Sequence, residues 1–103
     1  MAGMEINEQN FHGIDLNLMV TFAVLFRELS VTRTAVLLNV GQPAVSGALA
    51  RLRLHLDDPL FLRTRRGVRP TDRAVEIAQL LMPALSSIES AITGNRRLSP
   101  LNP

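Results

Sequence analysis

The sequence contains no lysine, cysteine, tryptophan or tyrosine. Without cysteine there is no disulfide framework, no thiolate nucleophile and no cysteine-based zinc site. The two histidines, His12 and His55, lie far apart in the chain and have no carboxylate pattern around them, so we expect no metal site. A length of 103 residues corresponds to one domain with a modest hydrophobic core.

All 11 basic residues are arginines, and they are unevenly distributed. The isoelectric point near 11 reflects the lack of lysine and tyrosine, because almost nothing titrates between histidine and guanidinium. The net charge of +2 is therefore uninformative by itself. Residues 31–73, however, hold eight arginines and three aspartates, a net charge of +5, whereas residues 1–30 carry −3. The basic character is concentrated in the middle of the chain.

Hydrophobic residues make up 47% of the sequence, which raises the question of a membrane segment. The longest strongly apolar stretch, residues 18–26, contains Thr21 and is closed by Arg27, well short of the ~20 residues that a membrane span requires. Glu5 and Glu8 stand where a secretion signal would be basic. We therefore expect a core helix, no membrane partner and a bacterial cytoplasmic location.

The first half of the chain reads as an arm followed by three helices. Residues 1–14 are polar and without period, which predicts a flexible arm. Apolar residues at helical spacing after Asp15 predict a helix over residues 16–29. Ser30 or Thr32 then caps a short second helix, and a third is predicted over residues 42–56, with Pro43 in its first turn. The tight connection between these two helices is a helix-turn-helix pattern. The expected buried side chains of the second helix are Ala35, Val36 and Leu38.

The second half predicts a hairpin and a long helix. Two short apolar runs around a basic loop predict a β-hairpin within residues 60–70, with Gly67 at the turn. Thr71 or Asp72 caps a helix over residues 71–93, and residues 94–103 read as a hinge or tail. The apolar positions of this helix are 4, 3, 4, 3 and 4 residues apart, a heptad seam that favours pairing with a second helix. The alternative is packing within the same domain. The seam residues are Ala74, Ala78, Leu81, Leu85, Ile88 and Ile92.

From residue 16 to about residue 92 the sequence resembles the N-terminal DNA-binding domain of LysR-type transcriptional regulators. The resemblance is carried by Gln42-Pro43-Ala44-Val45-Ser46, by Ala48-Leu49-Ala50-Arg51-Leu52-Arg53 and by Asp58-Pro59-Leu60-Phe61-Leu62-Arg63-Thr64. It implies a mainly α fold: a winged helix-turn-helix of three helices and a hairpin wing over residues 15–70, followed by a long linker or dimerisation helix. Gly47 departs from the family, which often has arginine or asparagine at that position.

This resemblance implies sequence-specific binding of double-stranded DNA and regulation of transcription. The recognition helix, residues 42–56, would enter the major groove and the wing would reach the flanking minor groove. Other readings remain open for single residues: Pro43 as a helix initiator, Ser46 as a solvated hydroxyl, Arg51 and Arg53 as partners of Asp57 or Asp58, and Arg63 as a link from wing to body. The expected base contacts are Gln42, Pro43 and Ser46, and the expected backbone or minor-groove contacts are Thr32, Arg33, Arg51, Arg53, Arg65 and Arg66.

The resemblance also implies a homodimer on an interrupted palindrome, a tetramer in a full-length form and association with the bacterial nucleoid. A small-molecule inducer would bind a C-terminal effector domain beyond this chain, so we expect no cofactor within it. Two other functions were weighed. A protein-interaction or dimerisation module without DNA binding would not need arginines in the wing and recognition helix. An enzyme could be built on Ser46, His55 and Asp58, but no motif orients them.

Overall fold

The computed structural model describes residues 5–94. It contains four α-helices, which begin directly after Asp15, Ser30, Gly41 and Thr71. Between the third and fourth helices lies a two-stranded antiparallel sheet. This mainly helical winged helix-turn-helix confirms the predicted fold class. The elements are α1 (Leu16–Glu28), α2 (Val31–Leu38), α3 (Gln42–Leu56), β1 (Phe61–Thr64), β2 (Gly67–Pro70) and α4 (Asp72–Thr93).

Side-chain caps fix where three of the helices begin. Asp15 accepts a hydrogen bond from the backbone N–H of Leu18 at 2.9 Å. Ser30, rather than Thr32, caps α2, because its hydroxyl accepts from the N–H of Arg33. Thr71, rather than Asp72, caps α4 in the same way. α3 has no side-chain cap and begins after Gly41, with proline in its first turn.

The core is centred on α1, which packs against each of the other three α-helices. Phe22 is fully buried and its ring lies 5.5 Å from that of Phe61, at the start of the hairpin. Such aromatic pairs stabilise a core beyond the area they bury. The hairpin is therefore anchored in the same core as the helices. The buried cluster comprises Leu18, Phe22, Leu25, Leu49, Leu52, Leu60, Phe61, Ala74 and Ala78.

The buried face of α2 differs from the prediction. Ala35 is buried as expected, but Val36 is 73% exposed and Thr34 is completely buried instead. Successive helical residues are rotated by about 100°, so a face that includes residues 34, 35 and 38 leaves residue 36 on the opposite side. The prediction that Val36 lies on the buried side together with Ala35 and Leu38 is therefore wrong.

The N-terminal arm contains structure that its composition does not indicate. Within the described residues 5–14, Glu8–Phe11 forms a short 3-10 helix capped by Asn7. Ile14 packs against the core, and Gly13, with φ of 77°, lies directly beside the imidazole of His55. At the other end Gly94 caps α4 in the left-handed conformation, and the rest of the predicted tail, 95–103, lies outside the described residues.

The wing is attached to the α1–α2 connection by its backbone. The N–H of Val68 donates a hydrogen bond of 3.1 Å to the carbonyl oxygen of Leu29, which has φ of 55° at the end of α1. Gly67 lies against the same carbonyl, where a Cβ atom would overlap the oxygen, and it has φ of 149°. Gly67 thus follows the turn, which consists of Arg65 and Arg66, and opens β2. Its lack of a side chain is required both by its φ and by this close approach.

α4 is divided between the core and the surface. Ala74 and Ala78 are 0% and 3% exposed, so the expectation that they lie in a dimer seam is wrong: they pack inside their own domain. Leu81 also packs partly against this core. By length and composition alone α4 could cross a membrane, but its first two turns are part of the domain core. Exposure increases along the remaining seam, and Ile92 is 69% exposed.

The Gly67 contact makes a prediction about stability. Gly67→Ala should lower the free energy of unfolding by about 2–3 kcal/mol, because alanine disfavours this φ and its methyl group would displace the wing from Leu29. Urea denaturation followed by circular dichroism measures the change. Arg66→Ala, in the exposed turn next to it, is the control and should change stability by less than about 0.5 kcal/mol. Equal effects of the two substitutions would contradict this account of the wing.

Candidate nucleic-acid interface

The N-terminal end of α3 forms an exposed polar and apolar surface. Val45 and Leu49 point into the core, so the opposite side of the helix faces solvent. Gln42, Pro43 and Ser46 are all exposed on the first turns of this helix, as a reading surface requires. The uncapped N-terminus also presents backbone N–H groups that favour a nearby anion. The structure brings the three predicted base-contact residues together; their roles remain predictions.

The start of α2 carries an ionic cluster that connects it to α1. Glu28 accepts hydrogen bonds from the Nε atoms of Arg27 at 2.7 Å and Arg33 at 3.0 Å. These two bonds hold the pKa of Glu28 below its usual range, and the bond from Arg27 has the larger effect. The terminal nitrogens of both guanidinium groups are not used by Glu28, so Arg33 can still donate to a phosphate. Thr32 is exposed beside it.

Arg27 and Glu28 belong to this surface although the sequence pattern does not indicate it. The separation of five residues between Glu28 and Arg33 crosses a helix break, and the familiar i,i+4 spacing therefore does not reveal the pair. The capped turn at Ser30 is what brings the two side chains together. A predicted cap between an acidic and a basic residue is the one signal in the sequence that could have indicated it.

The wing presents a group of arginines without acidic partners in the described part of the chain. Arg65 and Arg66 form the turn between the strands, and both are exposed. Arg63 on β1 and Arg69 on β2 are exposed as well, and no ion pair within residues 5–94 involves any of the four. Among the described residues, the side chain of Arg63 has no ion pair that would link the wing to the body. The tip therefore concentrates positive charge at the end of a rigid hairpin.

The link from α3 to the wing is instead made by Arg53. Its Nε donates to the carbonyl oxygen of Pro59 at 2.7 Å, and its Nη2 donates to that of Phe61 at 2.8 Å. Two of its donors are thus committed to the backbone, and within residues 5–94 it forms no ion pair with Asp57 or Asp58. A DNA contact through its remaining donors stays a prediction. Arg51 is exposed and without an ion pair in the described residues, so it stays a candidate for a phosphate contact.

The residues of the hypothetical catalytic triad are not assembled. Ser46 and His55 lie nine residues apart on one helix, about 13 Å along its axis. The Asp58 carboxylate accepts hydrogen bonds from the N–H of Leu60 and the hydroxyl of Thr71. Asp58 thus holds the end of α3 against the start of α4 and does not orient a histidine.

The second half of the predicted seam borders an apolar groove between α1 and α4. The groove has a volume of about 400 Å³. Because it contains mostly aliphatic side chains, its exposure to water is unfavourable. Leu85, Ile88 and Ile92 line it from α4, whereas Leu16, Val20, Ala23 and Val24 line it from α1.

Comparisons with known proteins agree with this fold and surface. A profile of the family described as bacterial regulatory helix-turn-helix protein, lysR family, matches residues 16–75. The HTH-type transcriptional activator NahR of Pseudomonas putida is 42% identical over 88 residues, or 85% of this chain. The chain spans 29% of the length of this relative.

Two solved structures share the architecture. The probable transcriptional regulator PA0477 from Pseudomonas aeruginosa is 37% identical with a TM-score of 0.77, over 82% of this chain and 28% of that one. The BenM DNA-binding domain, solved in complex with benA site 1 DNA, has a TM-score of 0.71 at 24% identity. This match covers 84% of this chain and 100% of that one, and the likeness is one of fold.

The different environments of the two α3 arginines lead to a prediction. Arg53→Ala should lower the free energy of unfolding by about 2 kcal/mol, because the carbonyl groups of Pro59 and Phe61 lose a charged donor, and the bond to Phe61 is part-buried. Arg51→Ala, two residues away, should change it by less than about 0.5 kcal/mol. Thermal unfolding of both variants tests the assignment. If Arg53→Ala were as stable as Arg51→Ala, the structural role of Arg53 would be refuted.

Proposed function

Because the chain belongs to the bacterial LysR family of regulatory helix-turn-helix proteins, we propose that it binds double-stranded DNA in a sequence-specific manner and thereby regulates transcription. The proposal rests on one observation: the first turns of α3 are exposed, and the same domain core carries a wing whose tip arginines form no ion pair within residues 5–94. A major groove accommodates such a helix, and guanidinium groups bind phosphates or a narrow minor groove. Residues 42–70, which contain α3 and the wing, hold six arginines and two aspartates, a net charge of +4.

Each group of residues has a separate role in this proposal. Gln42, Pro43 and Ser46 read base edges in the major groove. Phosphate contacts fix the register without reading sequence, and the wing tip enters the flanking minor groove. Arg53 acts indirectly, by holding the wing to α3. The phosphate and minor-groove contacts are assigned to Thr32, Arg33, Arg51, Arg65 and Arg66.

We further propose that two copies associate through the groove between α1 and the end of α4. Leu85, Ile88 and Ile92 are the seam residues that the monomer leaves accessible. A two-fold dimer would place two recognition helices on the half-sites of an interrupted palindrome. In a longer form of the protein, a further domain would bind an inducer and complete a tetramer. A bacterial cytoplasmic location at the nucleoid follows from this role.

Specific DNA binding is tested by selection from a random duplex library, followed by titration of the selected duplex and of a scrambled one over a range of salt concentrations. The selected duplex should bind more tightly, and its affinity should fall steeply with salt because phosphate contacts release counterions. Weak binding of equal strength to both duplexes would instead favour a protein-interaction module.

In the same titrations, two variants distinguish the contribution of base contacts to DNA affinity from the contribution of positive charge. Gln42→Ala should weaken binding to the selected duplex by about 1–3 kcal/mol and leave the scrambled one nearly unchanged. Arg65→Ala should weaken both and reduce the salt slope by about one. The reverse pattern would refute this division of roles.

The dimer is tested by introducing charge into the groove. Leu85→Asp should shift the chain to a monomer in sedimentation velocity and weaken binding to the selected duplex, because a carboxylate in an apolar interface is costly. Since Leu85 is half-buried in the monomer, Ile92→Asp provides a second variant at an exposed position. Leu80→Asp is the control, as Leu80 is 79% exposed on α4 but lies off the seam. Dimers of unchanged strength in both seam variants would contradict the proposal.

A further inference from the structure

The glycine in the middle of the recognition helix has no role inside the chain. Gly47 lies on α3 two residues from Val45 on one side and from Leu49 on the other, and both of these are buried. A displacement of two residues corresponds to about 200° of rotation, so Gly47 faces directly away from the core. A Cβ atom built there would have no neighbour within 4 Å.

Three of the other described glycines differ from Gly47 in this respect, and the fourth, Gly41, precedes the first turn of α3 as its N-cap. Gly13, Gly67 and Gly94 have φ values of 77°, 149° and 70°, which explains why no side chain is present there. Gly47 has ordinary helical φ, and alanine would fit. Glycine in a helix interior weakens the helix relative to alanine. The missing side chain therefore destabilises the monomer without a packing benefit within the described residues.

The surroundings of Gly47 indicate which kind of group approaches it. The outer ridge of α3, by which we mean Pro43, Gly47, Ala50 and Leu54, is exposed along its length. It carries neither a charge nor a side-chain hydrogen-bonding group. Gln42 and Ser46 lie to one side of this ridge, and Arg51 lies to the other. Gly47 forms a gap in the outer ridge between two small apolar residues.

The major groove contains one apolar group that fits such a gap. The exposed edges of guanine, adenine and cytosine there are donors and acceptors, whereas thymine adds a C5-methyl group. A donor or acceptor facing the gap would lose water without gaining a partner. On the basis of the proposed function, we propose that Gly47 is a specificity-determining position, where the gap between Pro43 and Ala50 receives the methyl group of a thymine in each half-site.

This role requires stability and recognition to respond in opposite directions. Gly47→Ala should raise the melting temperature by about 5 °C, because alanine favours the helix and meets no obstruction. The same methyl group would fill the gap and exclude that of thymine. A glycine with a purely structural role would change the melting temperature alone.

The test uses the full chain with the duplex enriched from the random library. Each thymine is replaced in turn by uracil, which lacks only the methyl group. With the unsubstituted protein, uracil at one thymine position per half-site should weaken binding about fourfold, the effect of removing one buried methyl group. With Gly47→Ala, affinity for the thymine duplex should fall, and thymine and uracil at that position should bind equally.

Two controls make the result specific. Uracil at other positions of the duplex should have no such dependence on residue 47. Ser87→Ala, on the exposed side of α4, adds helix propensity away from DNA and should leave the thymine-to-uracil ratio unchanged.

The outcomes also separate this inference from the proposed function. A library that yields no enriched sequence would overturn both. A clear selected site with no uracil effect at any thymine would overturn the inference alone, as would a Gly47→Ala variant that keeps the original thymine-to-uracil ratio or weakens binding to every duplex equally.

Discussion

The hydrogen bond from the N–H of Val68 to the carbonyl oxygen of Leu29 fixes the geometry on which the surface proposed to bind DNA depends. The connection between α1 and α2 can offer this carbonyl because Leu29 adopts a left-handed conformation, and β2 can approach it because Gly67 has no side chain. A two-stranded hairpin is only marginally stable by itself. Contact with this turn, the two hydrogen bonds from Arg53 and the burial of Phe61 together make it a rigid extension of the helical core.

Local signals in the sequence predict most of this architecture. The bounds of α3 and the positions of the hairpin and α4 follow from proline, capping hydroxyls and apolar spacing. What could not be predicted depends on contacts between distant segments. The role of Arg53 is set by two backbone carbonyl groups, which have no signature in side-chain identity. Whether Val36 is exposed depends on which face of α2 packs against the core, and the sequence does not indicate that face because nearly every position of this eight-residue helix is apolar or small.

The heptad spacing of α4 serves two purposes that the sequence alone does not distinguish. Its first two turns supply Ala74 and Ala78 to the core, where small side chains let α4 approach α1 closely. Its later turns leave the larger Leu85, Ile88 and Ile92 beside a groove. Side-chain size along one continuous stripe therefore separates residues needed for folding from residues available for association. Substitutions at the two ends of the same stripe would have different consequences for the protein.

The arginines of the wing have a further chemical consequence. Every cation between residues 61 and 70 is a guanidinium group, so the wing contains no amine that an acyl group could modify. Acetylation, which neutralises lysine side chains in many proteins, has no target there. The attraction between this hairpin and a polyanion is thus insensitive to acyl-group metabolism, and it responds mainly to ionic strength.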